Sequence, residues 1–301
     1  MLIPLRGRRA VLGLAGAALL TVSLTACGEK EASEPGNEAP PASSAADPAL
    51  ADRVPEAIKA DGVIKVGTDA TYAPAEFLDN DGKTVIGFDV DLFNAVAAKL
   101  GLRAEYESAP FDAILPGVDS GKYEIGVSSF TINDERKQNV NMVSYFSAGT
   151  QWATRAGNPA GVNPDEACGK KIAVQVGTVQ VDDITARSKA CTDAGKPAIT
   201  IDQYQAQSEA TEAVISGKND AMLADSPVGA YAVKQTNGQL ELLGDIYEAA
   251  PYGYTIKKDQ LAFAEVIRDA LKAVIADGGY TAALTKWGVE AGAISEPAVN
   301  P

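Results

Sequence analysis

The sequence predicts an α/β protein of two lobes, each a mainly parallel sheet flanked by helices. Three observations carry this. From about residue 54, short β-branched apolar runs alternate with longer amphipathic stretches, the rhythm of βαβ units. The rhythm restarts near Lys170, which implies two lobes rather than one sheet. Polar clusters follow the apolar runs at residues 69–72, 128–131, 177–180 and 225. Open parallel sheets bind ligands beyond their C-terminal strand ends.

The first 53 residues read as lying outside this fold. Arg6, Arg8 and Arg9 precede a small-residue apolar run at 10–21 (AVLGLAGAALLT), and LTACG follows at 24–28. This is the layout of an export signal over residues 1–26. LTACG also resembles the lipobox of bacterial lipoproteins, which implies lipidation of Cys27 and anchoring to the outer face of the cytoplasmic membrane. An uncleaved anchor is the other reading of the run, and in both cases the remainder is exported. Residues 27–53, rich in Pro, Ser, Ala and Glu, read as a disordered tether.

The elements follow in order. Residues 64–67 read as a strand. Residues 91–100 (DLFNAVAAKL) read as a helix, because Leu92, Phe93, Val96 and Leu100 share one stripe and Gly101 ends it. A strand at 104–106, a helix at 111–119 interrupted by Pro116, a strand at 123–127 and a helix at 133–139 complete the first run. The second run has strands at 171–176, 199–204, 221–224 and 240–243. Helices fall at 181–189, 208–216 and 226–235. Residues 261–275 and 280–287 are amphipathic helices, and 291–301 form a tail. The lobes are expected at 54–149 plus 250–290 and at 150–249, with hinge crossovers near 148–153 and 248–253.

Composition removes several function classes. The net charge of −14 argues against a nucleic-acid partner and against charge-driven binding to an anionic membrane. With no histidine in the chain, histidine triads, histidine metal sites and a histidine proton switch are unavailable. No phosphate-cradling glycine loop is present, and no cofactor or metal is expected. Besides Cys27, only Cys168 and Cys191 remain, and in an exported chain such a pair reads as a disulfide.

Each candidate site residue has a plainer local reading. Arg136, five residues after Thr131, could clamp a carboxylate bidentately or could pair with Asp134 or Glu135 on a solvated helix. Asp225 could hold an ammonium group, yet Asp before Ser226-Pro227 is a strong helix cap. Tyr72 and Phe111 could stack on a ligand or pack in the core. Asp89 and Asp91, just before a helix, are best explained by capping.

Taken together, the ordered segments GTDATYAP, GFDVDLFNAVAAKLG, FDAILPGV, SSFTINDER, VGTVQ and AMLADSP resemble the polar amino-acid binding proteins of ABC importers. The resemblance covers about residues 61–287. It implies the type II periplasmic-binding-protein fold, a free amino acid as ligand, permease subunits as partners and a monomeric chain. By position it implies that Arg136 clamps the ligand α-carboxylate, with Ser128, Ser129 and Thr131 in the supporting loop. Asp225 would receive the α-ammonium from the second lobe. Tyr72 and Phe111 would sandwich the ligand side chain. Asp69 would meet a polar or cationic side chain (arginine, lysine, ornithine, histidine or glutamine). The amides near Thr178 would close on the carboxylate. Gln175, Val179 and Ala224 depart from residues common at those positions and line the side-chain pocket. Periplasmic cyclohexadienyl dehydratases resemble the same family, with Asp69 and Glu76 as the acids such an enzyme could use. A ligand-sensing adaptor lipoprotein is the other alternative.

Overall fold

The computed structural model describes residues 45–301. The expected export signal, Cys27 and most of the stretch expected to be a tether fall outside the described residues. Two short helices open the described part, α1 (Pro48–Ala51) and α2 (Glu56–Lys59). Asp47 caps α1 through its carboxylate, and its own amide donates to Lys99 O. Leu50 and Val54 are buried in the main core. The last residues of the expected tether, from Asp47 on, therefore pack against the fold, because these apolar residues find a surface to cover.

In the first lobe, β1 (Val63–Thr68) leads to a small antiparallel sheet of β2 (Thr71–Tyr72), β3 (Glu76–Leu78) and β4 (Val85–Ile86). Then come α3 (Phe88–Lys99), β5 (Arg103–Ser108), α4 (Phe111–Ser120), β6 (Ile125–Gly126) and α5 (Asp134–Asn139). A 16-residue strand, β7 (Val140–Arg155), follows. The second lobe holds β8 (Lys171–Gln175), α6 (Val179–Asp193), β9 (Thr200–Tyr204), α7 (Gln207–Ile215), β10 (Ala221–Asp225) and α8 (Ser226–Gln235). The chain returns along the 18-residue β11 (Leu240–Lys257) and ends on α9 (Leu261–Ala276) and α10 (Gly279–Trp287).

The main sheet has eight strands in the order β5-β1-β6-β11-β7-β10-β8-β9. β1 runs parallel to β5 and β6, and β8 runs parallel to β9 and β10. The two parallel sets are joined by β7 and β11, which pair antiparallel with each other along nearly their whole length. The expected two lobes are present, and the two crossovers that join them run their strands into one continuous ladder. Buried crossover backbone must bond somewhere, and pairing the two crossovers satisfies it. The ladder is irregular near Leu243, Tyr247 and Ala250, within or next to the expected hinge, and Glu248 there has φ +51°.

The lobes have separate apolar cores. In the first, Phe88, Leu92 and Phe93 of α3 pack with Val266 and Leu271 of α9. In the second, Trp152, Ile172, Val174 and Leu223 pack with Ile184 of α6, and the Cys168–Cys191 disulfide borders them. Asp89 and Asp91 do not cap α3. Gly87 stands at its N-cap, Asp91 pairs with Lys286 and accepts from Trp287 Nε1, and Asp89 turns into the interior.

Candidate ligand-binding site

The strand-end loops converge on a small cavity of about 10 Å³. From the first lobe it is lined by Tyr72, Phe111, Ser129, Thr131 and Arg136, and from the second by Thr178, Val179, Gln180 and Asp225. Eight of these nine residues were expected from the sequence. Gln180 was not. Four expected residues do not line the cavity: Asp69, Ser128 and Gln175 bond behind its wall, and Ala224 packs in the main apolar core.

At one end stands Arg136. Asn133 caps α5 by accepting from Arg136 N at 2.8 Å, which fixes the helix start and aims the side chain inward. The guanidinium lies 5.5 Å from the ring centroids of both Phe111 and Phe130, which stack on each other at 4.6 Å. Nη1 donates to Thr131 O at 2.8 Å, and Nη2 donates across to Gly177 O at 3.0 Å. Arg136 makes no ion pair among the described residues, so the solvated-helix reading fails. Burial lowers its pKa, and Asp225 and Glu135 oppose that shift. Gly177 has φ +77°, and a Cβ there would stand 3.0 Å from Asp112 Cβ, so glycine permits this approach of the lobes. Thr178–Gln180 bring the N-terminus of α6 to the same end.

Asp225 lies at the other end. It occupies the N-cap position of α8, but its side chain makes no cap hydrogen bond. Instead Oδ1 accepts from Gln180 Nε2 at 2.8 Å and Oδ2 accepts from Tyr252 OH at 2.7 Å. Gln180 Nε2 also donates to Thr150 Oγ1 on β7, and Asp225 N donates to Tyr72 OH. Burial raises the Asp225 pKa, opposed by hydrogen bonds from Tyr252, Tyr72 and Gln180 and by the charge of Arg136. No base faces it at contact distance. Gln180 ends the VGTVQ segment without being singled out there, and Tyr252 carries no local motif; only tertiary folding brings both to Asp225.

Behind the cavity wall stands Asp69. Oδ1 accepts from Thr71 Oγ1 at 2.8 Å, and Oδ2 accepts from the Gln175 amide across the lobes. Gln175 Nε2 donates further to Gln205 O, while its Oε1 is buried without a partner. Burial raises the Asp69 pKa, and the bonds from Thr71 and Gln175 lower it. Ser128 Oγ accepts from Asp69 N and donates to Glu76 Oε1, so it supports the loop from behind. Ser129 has φ +49°, with both its amide and its hydroxyl donating to Asp89 Oδ2.

A cation from one lobe, a carboxylate from the other, aromatic walls and paired crossover strands define a two-lobed solute-binding protein. The profile of the bacterial extracellular solute-binding proteins, family 3, matches residues 64–290, and the chain belongs to that family. It is 35% identical over 303 residues to the arginine-binding protein ArgT of Corynebacterium glutamicum, covering 100% of this chain and 98% of that one. A solved ancestral arginine-binding protein bound to arginine is 34% identical, with a TM-score of 0.69 over 75% of this chain and 98% of the other. A solved ancestral amino-acid-binding protein described as a precursor of cyclohexadienyl dehydratase is 32% identical, with a TM-score of 0.67 over 77% of this chain and 98% of the other.

Proposed function

We propose that this chain captures a free polar amino acid, arginine foremost, in the inter-lobe cavity and delivers it to an ABC importer. The observation that carries the reading is the placement of Arg136 and Asp225 on opposite sides of one enclosed cavity. An amino-acid zwitterion offers an anion and a cation at fixed separation. Arg136 and the α6 amides suit the first, and Asp225 suits the second. Because the two charges come from different lobes, only the closed form supplies both contacts, so the ligand favours closure. Tyr72 and Phe111 would flank the side chain, and Asp69 with Gln175 would face its far end. The lobes are assigned to residues 54–149 plus 250–290 and 150–249. Export and lipidation at Cys27 would hold the chain at the outer face of the cytoplasmic membrane, as a monomer engaging the permease.

The arginine preference rests on two supports. Asp69 is a buried acceptor with no cationic partner among the described residues, and the relative and the solved ancestral protein above are named for arginine. The test is a thermal-shift screen of the twenty amino acids with ornithine and citrulline, followed by calorimetry, since a ligand bound only by the folded state raises its melting temperature. Arginine should give the largest shift and glutamine a smaller one. A largest shift with glutamate or aspartate would refute the assignment. Aromatisation of prephenate or arogenate by the protein would instead support an enzyme, although neither Asp69 nor Glu76 lines the cavity.

A further inference from the structure

Behind the cavity wall lies a carboxyl pair that the proposed ligand contacts do not use. Glu76 on β3 and Asp89 in the first turn of α3 are both 0% exposed. The backbone brings them together: Phe88 N donates to Pro74 O, and Asp89 N donates to Ala75 O. Gly87 permits this, since its φ is +142° and a Cβ there would fall 2.0 Å from Ala75 O.

The outer oxygens of the pair hold the cleft loop. Glu76 Oε1 accepts from Ser128 Oγ at 2.8 Å. Asp89 Oδ2 accepts from Ser129 N at 3.0 Å, Ser129 Oγ at 3.1 Å and Tyr145 OH at 2.5 Å. The remaining oxygens, Glu76 Oε2 and Asp89 Oδ1, are buried and find no donor among the described residues. The two carboxyl groups are close enough for the charge of Asp89 to act on Glu76. Two carboxyl groups can bond to each other only through a proton, because ionised carboxylates only accept.

The surroundings supply no base. Asp69 faces the pair from the end of β1, Tyr72 from β2, Asp91 from α3, Tyr106 from β5, Tyr145 from β7 and Tyr254 from β11. Among the described residues no Lys or Arg pairs with Glu76 or Asp89, and Lys286 is taken by Asp91. Two like charges cannot both stay ionised in such a place. Burial, then the charge of Asp89, holds Glu76 well above the ordinary carboxylate range. Burial raises Asp89 as well, opposed by the donors at its Oδ2. Asp89 Oδ2 accepts three hydrogen bonds and Glu76 Oε1 one, so the ionised form suits Asp89 and the proton suits Glu76.

We infer that Glu76 and Asp89 act as one singly protonated pair that positions Ser128 and Ser129, so that ligand binding depends on keeping that proton. Ser129 lines the cavity in a left-handed conformation that a non-glycine residue holds only when neighbours over-determine it. Asp89 supplies that hold, and the Glu76 proton keeps Asp89 from being repelled. A carboxyl whose folded pKa is raised contributes stability that is full below the ordinary carboxylate range and lost as pH rises through the folded pKa. Alkaline pH should therefore loosen the loop.

The experiment uses the ligand-free exported chain, with Glu76→Gln and Asp89→Asn. Infrared spectra of the wild type near neutral pH should contain the carbonyl band of a protonated carboxyl group that Glu76→Gln lacks and Asp89→Asn shifts. The folding equilibrium constant of the wild type should fall with rising pH, by up to roughly tenfold per unit for the one proton lost. Glu76→Gln should flatten that slope. L-arginine affinity should fall over the same window in the wild type, and Glu76→Gln should flatten that too. A merely structural role would lower affinity without changing the slope. An unchanged band and slope in Glu76→Gln would overturn the inference. If Glu76→Gln does not fold, absence of any protonated-carboxyl band in the wild type overturns it equally. The binding arm rests on the proposed function, whereas the ligand-free arms do not. Failure of arginine to bind, with those arms behaving as expected, refutes the ligand and leaves the pair standing.

Discussion

Replacing Asp225 by asparagine should move affinity and ligand-free stability in opposite directions. Asp225 is 5% exposed, and in the ligand-free chain its charge is met only by hydroxyl, amide and distant guanidinium groups. Removing the charge from a buried hydrogen-bonded pair with a ligand ammonium costs 2–5 kcal/mol in comparable sites, and about 3 kcal/mol, or ~10²-fold in Kd, suits a substitution that keeps the volume. Without ligand, the same substitution relieves a desolvated charge. The offset is the weakening of the Tyr252 and Gln180 bonds from charge-assisted to neutral, roughly 1 kcal/mol each. The melting temperature should stay level or rise, with each kcal/mol worth ~2–4 °C in a chain of this size. The raised pKa of Asp225 means that its contribution to ligand-free stability fades as pH rises above the ordinary aspartate range, and Asp225→Asn should remove that part of the slope. Calorimetry with arginine and thermal melts across pH check this. Unchanged affinity, or a joint loss of affinity and stability, would show that Asp225 is a structural residue and not the ammonium partner.

Arg136→Ala should reduce arginine affinity by about 2–5 kcal/mol, since the ligand carboxylate would lose its buried partner, and calorimetry reads the change directly. Asp69→Asn should weaken arginine far more than glutamine; equal losses would show that Asp69 does not read the ligand side chain. Reducing the Cys168–Cys191 bond opens a loop with a sequence separation of 23 and should cost about 3 kcal/mol of stability, visible as a lower melting temperature with reductant and no change in the cavity residues.

The part of the fold set by periodicity was legible. The helix expected at 91–100 falls on α3 up to its C-cap Leu100, and that at 261–275 lies within α9, because their apolar stripes had cores to cover. The long crossover strands were not legible. β7 buries Asn141, Ser144, Thr150, Gln151 and Thr154 within its 16 residues, and these polar side chains hide the run from a hydrophobicity reading. The same blindness applies to Asp89. Two acidic residues at a helix start look like caps, and nothing local reveals that Asp89 must hold Ser129, forty positions away. Asp225 shows the reverse case. The cap position was legible, yet the side chain leaves the helix because Gln180 and Tyr252, from distant segments, offer stronger donors than the helix amides would.

The two ends of the cavity ask different things of a ligand. Arg136 and Asp225 have capacity left, since neither is neutralised by the other or by a third charge, so any amino acid can complete them. Asp69 is already met by Thr71 and by Gln175 from the opposite lobe, and Thr71 Oγ1 itself accepts from Gln207 N. These bonds tie the lobes together without a ligand, each worth roughly 0.5–1.5 kcal/mol. A side chain reaching Asp69 must therefore displace the Gln175 amide, and it gains only if its own bond is stronger. A neutral amide such as glutamine exchanges like for like, whereas a guanidinium exchanges a neutral donor for a charge-assisted, bidentate one. The same guanidinium could donate to Gln175 Oε1, the buried acceptor now lacking a partner. Under the proposed function, discrimination for arginine would follow from the competitor built into the protein as much as from the charge of Asp69. Shortening Gln175 to alanine should narrow the gap between arginine and glutamine, chiefly by tightening glutamine.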